Sequence, residues 1–260
     1  MTYCLGIVTD EGLVMASDSR SNAGFDQVNV CRKMYRFVQE GERVFVILTS
    51  GSLSISQSVM SLLRLDFDAG QGLALARSMY QASRIVGECV RRVSEIDRAS
   101  LERDSFTFNV NLLLGGQVRG EEPGLFLIYP QGNPLQATED SPYLQLGECK
   151  YGRPILDRGI DMATSLEVAA KYALLSFDAT MRSNVTVGPP IDLLLYKKNA
   201  NGTFRLVGAM YTAPKDASPD DLDARVPLGI ARWHLHTNMC VPRLTQQKRW
   251  WEVSDGKMVF

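Results

Sequence analysis

Apolar and polar positions alternate in short strand-like blocks, then in longer blocks of helical period, and the two textures come in pairs along the chain. Tyr3 to Thr9 is short and apolar, and Asp10-Glu11-Gly12 turns it into Leu13-Val14-Met15-Ala16, a hairpin. A polar stretch from Ser19 to Asn29 follows. Lys33 to Val38 forms the next strand, and after Glu40-Gly41-Glu42 the run Val44 to Leu48 is apolar on both faces, as a strand covered on both sides would be. Ser52 or Ser54 caps a helix that keeps Ile55, Val59, Leu62 and Leu63 on one side. A second helix has the inner face Leu75, Met79, Ala82, Val86, Val90 and Val93. Strand texture returns at Thr107 to Leu114, at Leu125 to Tyr129 before the loop Pro130 to Pro134, and at Tyr143 to Leu146. A short helix follows Gly152, and a longer one capped by Ser165 carries the stripe Leu166, Ala169, Ala170, Ala173, Leu174 and Phe177. Ile191 to Tyr196 and Phe204 to Met210 flank the turn Asn199 to Gly202.

This order buries every apolar face if two antiparallel sheets pack face to face with helices outside each. The expected class is α+β, a four-layer αββα sandwich over residues 1–212. From Pro214 the texture changes to a polar connector, Lys215 to Asp221, and the tail beyond it carries Trp233, Trp250 and Trp251. Residues 213–260 are therefore expected to form an extension that packs on the same domain or on a neighbouring subunit.

With 45% hydrophobic and 22% charged residues, the chain has the composition of a globular protein. The balance of 28 Lys+Arg against 29 Asp+Glu leaves a formal charge of −1, without the basic footprint of a nucleic-acid binder. Lys248-Arg249-Trp250-Trp251 is accordingly read as tail packing rather than a base-stacking platform. No apolar run reaches the roughly 18–20 residues that span a bilayer, and Met1 to Leu5 lacks the basic and apolar regions of a secretory signal. Cysteines at 4, 31, 89, 149 and 240 form an odd set without CxxC spacing. A cytoplasmic protein with reduced thiols and no membrane partner is expected. His234 and His236 have no Cys, Asp or Glu at ligand spacing, so a packed or surface role is favoured over a metal site.

Chemistry concentrates at the start of the chain. Removal of Met1 would leave Thr2 with a hydroxyl and a free α-amine on one residue, nucleophile and base together. The amine's ordinary pKa of about 7.7–8.0 leaves part of it neutral near pH 7, which a lysine at about 10.4 would not allow. Asp18 ends the strand antiparallel to the one that starts beside Thr2, and Lys33 opens the next strand. A lysine cation beside the amine favours its neutral form, and Asp18 would hold that cation in place. Gly51, between a buried strand and a helix start, offers a backbone N–H to an oxyanion within the field of the helix N-terminus.

Taken jointly, Thr2, Ser17-Asp18-Ser19-Arg20, Arg32-Lys33, Ser50-Gly51 and Tyr151-Gly152 resemble the proteasome β-subunit family of N-terminal-nucleophile hydrolases. The fuller match of Met1 to Ile7 and Ala16 to Gly24 resembles the bacterial ancestral β-subunit branch. The resemblance, over roughly residues 2 to 212, implies the αββα fold and a Thr2 nucleophile with Asp18 and Lys33 as electrostatic partners. It implies Gly51 as oxyanion donor, Arg20, Asn184 and Thr186 as supporting residues, and no cofactor. A threonine-type endopeptidase follows, acting on peptides or unfolded protein. Its sites would be enclosed in a homo-oligomeric ring or open spiral that an accessory factor could feed. The alternatives are a small-molecule amidase with the same chemistry and a catalytically weak assembly subunit. One departure stands out: the family's supporting Arg-Asp and Ser-Gly-Gly are replaced by Arg182-Ser183-Asn184-Val185-Thr186-Val187-Gly188-Pro189-Pro190. An amide at Asn184 cannot supply a carboxylate's charge.

Overall fold

Tyr3–Thr9 forms β1 and Gly12–Asp18 forms β2, and every residue of both strands is buried. A strand apolar on both faces needs a layer on each side, and the rest of the chain supplies them. The computed structural model describes the backbone of residues 2–23, 27–198, 204–211, 230–231, 243–244, 251–254 and 257–259, and side chains within 2–21 and 30–197. The elements continue as β3 (Arg20–Ala23), β4 (Gln27–Val30), β5 (Met34–Gln39), β6 (Arg43–Gly51), α1 (Leu53–Asp68) and α2 (Met79–Arg103). They are followed by β7 (Val110–Val118), β8 (Gly124–Ile128), β9 (Pro134–Gln136), β10 (Tyr143–Gly147), α3 (Arg153–Gly159), α4 (Leu166–Ser183), β11 (Ile191–Lys198) and β12 (Phe204–Tyr211).

One sheet runs β10-β1-β2-β11-β12 and is extended at the β12 edge by Trp251–Ser254 and Lys257–Val259; the other runs β5-β6-β7-β8-β9. The pairings are antiparallel. Side-chain alternation sorts the apolar residues into three layers. Cys4, Leu13 and Met15 of the first sheet meet Met34, Leu48 and Leu113 of the second between the sheets. Tyr3, Leu5, Ile7 and Val14 face Leu166, Ala173 and Phe177 of α4. On the far side Phe45, Ile47, Leu112 and Leu114 pack under Ile55 and Val59 of α1 and Val86 and Val90 of α2. The four-layer αββα sandwich is thus the observed architecture.

Four local expectations are corrected, and one left open, the α1 cap, is decided. The stretch from Ser19 to Asn29 is not a plain connector but the β3–β4 hairpin: β3, Arg-Ser-Asn-Ala, carries almost no apolar signal, and the alternation in β4 is only four residues long, Gln27-Val28-Asn29-Val30. Leu75 does not lie on the inner face of α2: it ends a 3₁₀ turn, Gly72–Leu75, and is 62% exposed. The helix starts later because Ser78 Oγ accepts from Gln81 N and sets the N-terminus at Met79. Pro134, read as loop, opens the short strand β9, paired with β8. The strand expected from Thr107 begins at Val110. Ser52, not Ser54, is the α1 N-cap. Among the described residues no helix is long and apolar enough to cross a membrane. Trp233, Trp250, His234, His236 and Cys240 lie outside the described residues, as does the 199–202 turn.

Candidate active site

The start of β1 sits in mid-sheet, between β2 and β10, and this placement gathers the site around Thr2. Tyr3 N donates to Asp18 Oδ1 at 3.1 Å, so the end of β2 is fastened to the start of β1. Lys33 Nζ donates to the same oxygen at 2.6 Å and to the carbonyl of Arg20 at 2.6 Å. Asp18 is fully buried and Lys33 is 4% exposed, so Lys33 is an interior cation and not a solvated edge charge. Burial pushes the Asp18 carboxyl up, while the Lys33 cation and the N–H groups of Tyr3 and Gly188 pull it back down.

Thr2, partly exposed, is held from the opposite side by the segment after β10. Glu148 N donates to Thr2 O at 2.8 Å. Gly147 makes this approach possible: its φ is +80°, and a Cβ there would run into the Thr2 carbonyl. The next residue is anchored too. The Tyr3 ring lies 4.7 Å from that of Phe177, and its hydroxyl shares 2.5 Å hydrogen bonds with Ser176 Oγ and Gln145 Nε2. Burial raises the Tyr3 phenol, so it stays neutral.

Gly51 closes β6. Ser52 N donates to Asn109 O across to β7, so antiparallel alternation turns the Gly51 N–H the other way, toward the line of β5. β5 pairing has stopped there, with Thr49 N on Lys33 O at 3.0 Å. Gly51 has φ +100°, and a Cβ would strike Asn109 O. The α1 N-terminus begins two residues on at Leu53 and adds a favourable field for an anion.

The segment after α4 completes the surround. Asn184 Nδ2 donates to Glu148 Oε2 at 2.9 Å, and Asn184 Oδ1 accepts from Thr186 N at 3.0 Å and Thr186 Oγ1 at 2.6 Å. The Arg20 guanidinium donates to Val185 O, and Ser19 Oγ donates to Pro190 O. The structure therefore brings Asp18, Lys33, Arg20, Asn184 and Thr186 into one hydrogen-bonded surround of the first residues, with Gly51 joined through Thr49 and Lys33. Sequence reasoning missed Gly147 and Glu148. A glycine just past a strand end was a usable signal for the first; nothing in pattern or spacing marked the second. Cys4 lies beneath the site as a fully buried thiol pushed well up by desolvation, a packing residue and not a nucleophile.

No family model matches the chain. Among solved structures, Anbu (ancestral beta-subunit) from Yersinia bercovieri is 47% identical, with a TM-score of 0.69 over 75% of this chain and 81% of that one. The Anbu complex from Pseudomonas aeruginosa, described as a helical assembly, is 41% identical, with a TM-score of 0.72 over 83% and 88%. A curated relative, proteasome subunit beta 2 of Pyrobaculum calidifontis, is 26% identical over 204 residues, 75% of this chain and 88% of its own length.

Proposed function

We infer that this chain, which belongs to the Anbu family of ancestral proteasome β subunits, works as a proteasome-like N-terminal-nucleophile hydrolase. From that membership we propose that it is a threonine peptidase whose nucleophile is Thr2 after loss of Met1. The observation that carries the reading is the interior Lys33 ammonium, 2.6 Å from both Asp18 Oδ1 and Arg20 O, on the carboxylate that also holds Tyr3 N. A buried cation fixed beside an N-terminal residue favours its neutral amine and lowers the cost of forming an alkoxide.

In the proposed reaction the Thr2 α-amine takes the Thr2 hydroxyl proton as Oγ bonds to the carbonyl carbon of a peptide amide. Negative charge develops on the carbonyl oxygen, where the Gly51 N–H and the α1 N-terminus are suited to stabilise it. The ammonium returns the proton to the departing nitrogen as the C–N bond breaks, leaving an ester on Thr2. Water, deprotonated by the same amine, hydrolyses it. We also propose that the chain self-assembles, as the Pseudomonas aeruginosa relative does in its helical assembly, and that the 213–260 extension contributes to that contact.

Intact-mass spectrometry tests the premise. Loss of Met1 is expected, together with one acyl adduct per chain from a peptidyl p-nitrophenyl ester, absent in Thr2→Ala. Retained Met1, or wild-type acylation of Thr2→Ala, overturns the reading.

A further inference from the structure

Asn184 carries no charge, yet a carboxylate lies beside it, supplied by another segment. Glu148 touches the N-terminal residue through its backbone N–H, 2.8 Å from Thr2 O, and touches Asn184 through its side chain at 2.9 Å. Asn184 is thereby oriented. Its Nδ2 is committed to the carboxylate, so its Oδ1 must face Thr186, where it accepts from both N and Oγ1. Because Thr186 Oγ1 spends its proton on Asn184, the hydroxyl's lone pairs are what it can offer elsewhere. The loop so fixed runs on to Gly188, whose N–H reaches Asp18, and is tied at Val185 O by Arg20. Thus Glu148, Asn184 and Thr186 form one arm around the start of β1, and Asp18 with Lys33 forms the other.

We infer that Glu148 is the positioning residue of this arm: its carboxylate supplies the negative charge that Asn184 lacks and orients the Asn184–Thr186 pair toward the Thr2 amine. The inference rests on Thr2 being the nucleophile. When the amine takes up the hydroxyl proton, an adjacent carboxylate stabilises the ammonium formed. Removing that charge has two consequences. The transition state loses stabilisation, and the resting amine, no longer held protonated by an anion, titrates at lower pH. Among the described residues, other charged and titratable groups around the arm include Tyr3 on β1, Asp18, Arg20 and Lys33 from the β2–β5 region, Cys149 and Arg153 beyond Glu148, and Asp178 and Arg182 on α4, all unchanged by the test.

The experiment measures acylation of full-length protein by a peptidyl p-nitrophenyl ester across pH, for wild type, Glu148→Gln, Asn184→Asp and the double variant. Glu148→Gln keeps the shape and removes the charge. We expect a roughly tenfold slower plateau and an acid limb moved down by about half a pH unit. Asn184→Asp sets two carboxylates against each other and is also slower. Glu148→Gln/Asn184→Asp reverses the polarity of the hydrogen bond with net charge unchanged, and recovers most of both the rate and the limb. A Glu148→Gln profile that coincides with wild type overturns the inference, as does a slower plateau with an unmoved limb, which marks Glu148 as structural. Thr2→Ala in the same assay separates the two readings: if it abolishes acylation while Glu148→Gln is silent, only the role of Glu148 fails.

Discussion

The two arms around the start of β1 are built from different material. Asp18 and Lys33 come from strand ends, are interior, and meet as a formal ion pair at 2.6 Å. Glu148, Asn184 and Thr186 come from segments outside the helices and strands, are half-buried, and pass one carboxylate's influence through an amide and a hydroxyl. Where water is excluded, a charge without its partner is expensive, so the first arm works as a unit or not at all. The second can be weakened by degrees, because water substitutes for lost hydrogen bonds at a half-exposed site. One arm is suited to making a nucleophile and the other to setting how strong it is.

Breaking the first arm is expected to give the largest effect. Lys33→Ala leaves the Asp18 carboxylate buried and unpaired, and should cost about 3–5 kcal/mol in urea unfolding unless Asp18 takes up a proton. Acylation of Thr2 should slow by at least about a hundredfold. Asp18→Asn should slow it more than tenfold, and the Asp18→Asn/Lys33→Ala double variant should lose less than the product of the single losses, as members of one unit do. Multiplicative losses would show the two side chains acting separately.

A glycine pair sharpens the second arm. Gly147 and Gly41 both have positive φ, +80° and +71°, but a Cβ on Gly41 meets nothing within 4 Å, while on Gly147 it meets the Thr2 carbonyl. Gly41→Ala should therefore cost only the backbone term, about 1 kcal/mol, with normal acylation. Gly147→Ala adds overpacking, for a total of about 3 kcal/mol, and displaces Glu148 N from Thr2 O, so acylation falls as well. Equal stability losses, or normal acylation by Gly147→Ala, would remove the 148 segment from the grip on Thr2.

A pH series distinguishes the arms by sign. Burial raises the folded-state Asp18 pKa above its unfolded value near 3.9, so the native chain holds that proton more tightly than the unfolded one. The contribution of Asp18 to stability is therefore greatest below the unfolded value and declines as pH rises toward the folded one, by up to about 1.4 kcal/mol per unit. On the proposed mechanism activity uses the carboxylate and should move the other way, falling with acid at a pH above the ordinary carboxylate range. Wild type minus Asp18→Asn should show both trends in one window. Stability and rate falling together with acid there would contradict the direction of the Asp18 shift.

The layers were legible because burial on both faces leaves a plain mark: Val44 to Leu48 and Tyr3 to Val8 carry no charged or strongly polar residue, and the α4 stripe from Leu166 to Phe177 is the face that is buried. The first arm was legible too, since Asp18 and Lys33 sit at strand ends whose order is fixed by two hairpins. What escaped was made by polar segments without periodicity. The β3–β4 hairpin offers only Val28 and Val30 as alternating apolar positions, and Glu148 reaches Asn184 across 36 residues of sequence through a turn in which Gly147 has positive φ. Leu75 misled because helical spacing continues through a 3₁₀ turn that faces solvent.

The smallest effect on the site is expected from the edge of the first sheet beyond β12. Trp251–Ser254 pairs with β12 at Val207↔Glu252 and Gly208↔Trp251, and three strands, β2, β11 and β12, separate it from β1. At about 4.8 Å per strand, that edge is about 19 Å from the strand that begins beside Thr2. Truncation near Ala213 removes the edge partner and leaves the backbone groups of β12 open to another chain. If the extension serves the contact between subunits, the truncated protein should change its mass in light scattering, either to a smaller particle or, through the bared β12 edge, to an irregular larger one. Acylation of Thr2 per subunit should stay within about threefold of wild type, because the side-chain hydrogen bonds of the Asp18–Lys33 and Glu148–Asn184 arms reach no farther along the chain than Gly188, well short of Ala213. An unchanged particle would return the extension to packing within its own subunit. A collapse of acylation in a truncated protein that still folds would tie the tail to the site.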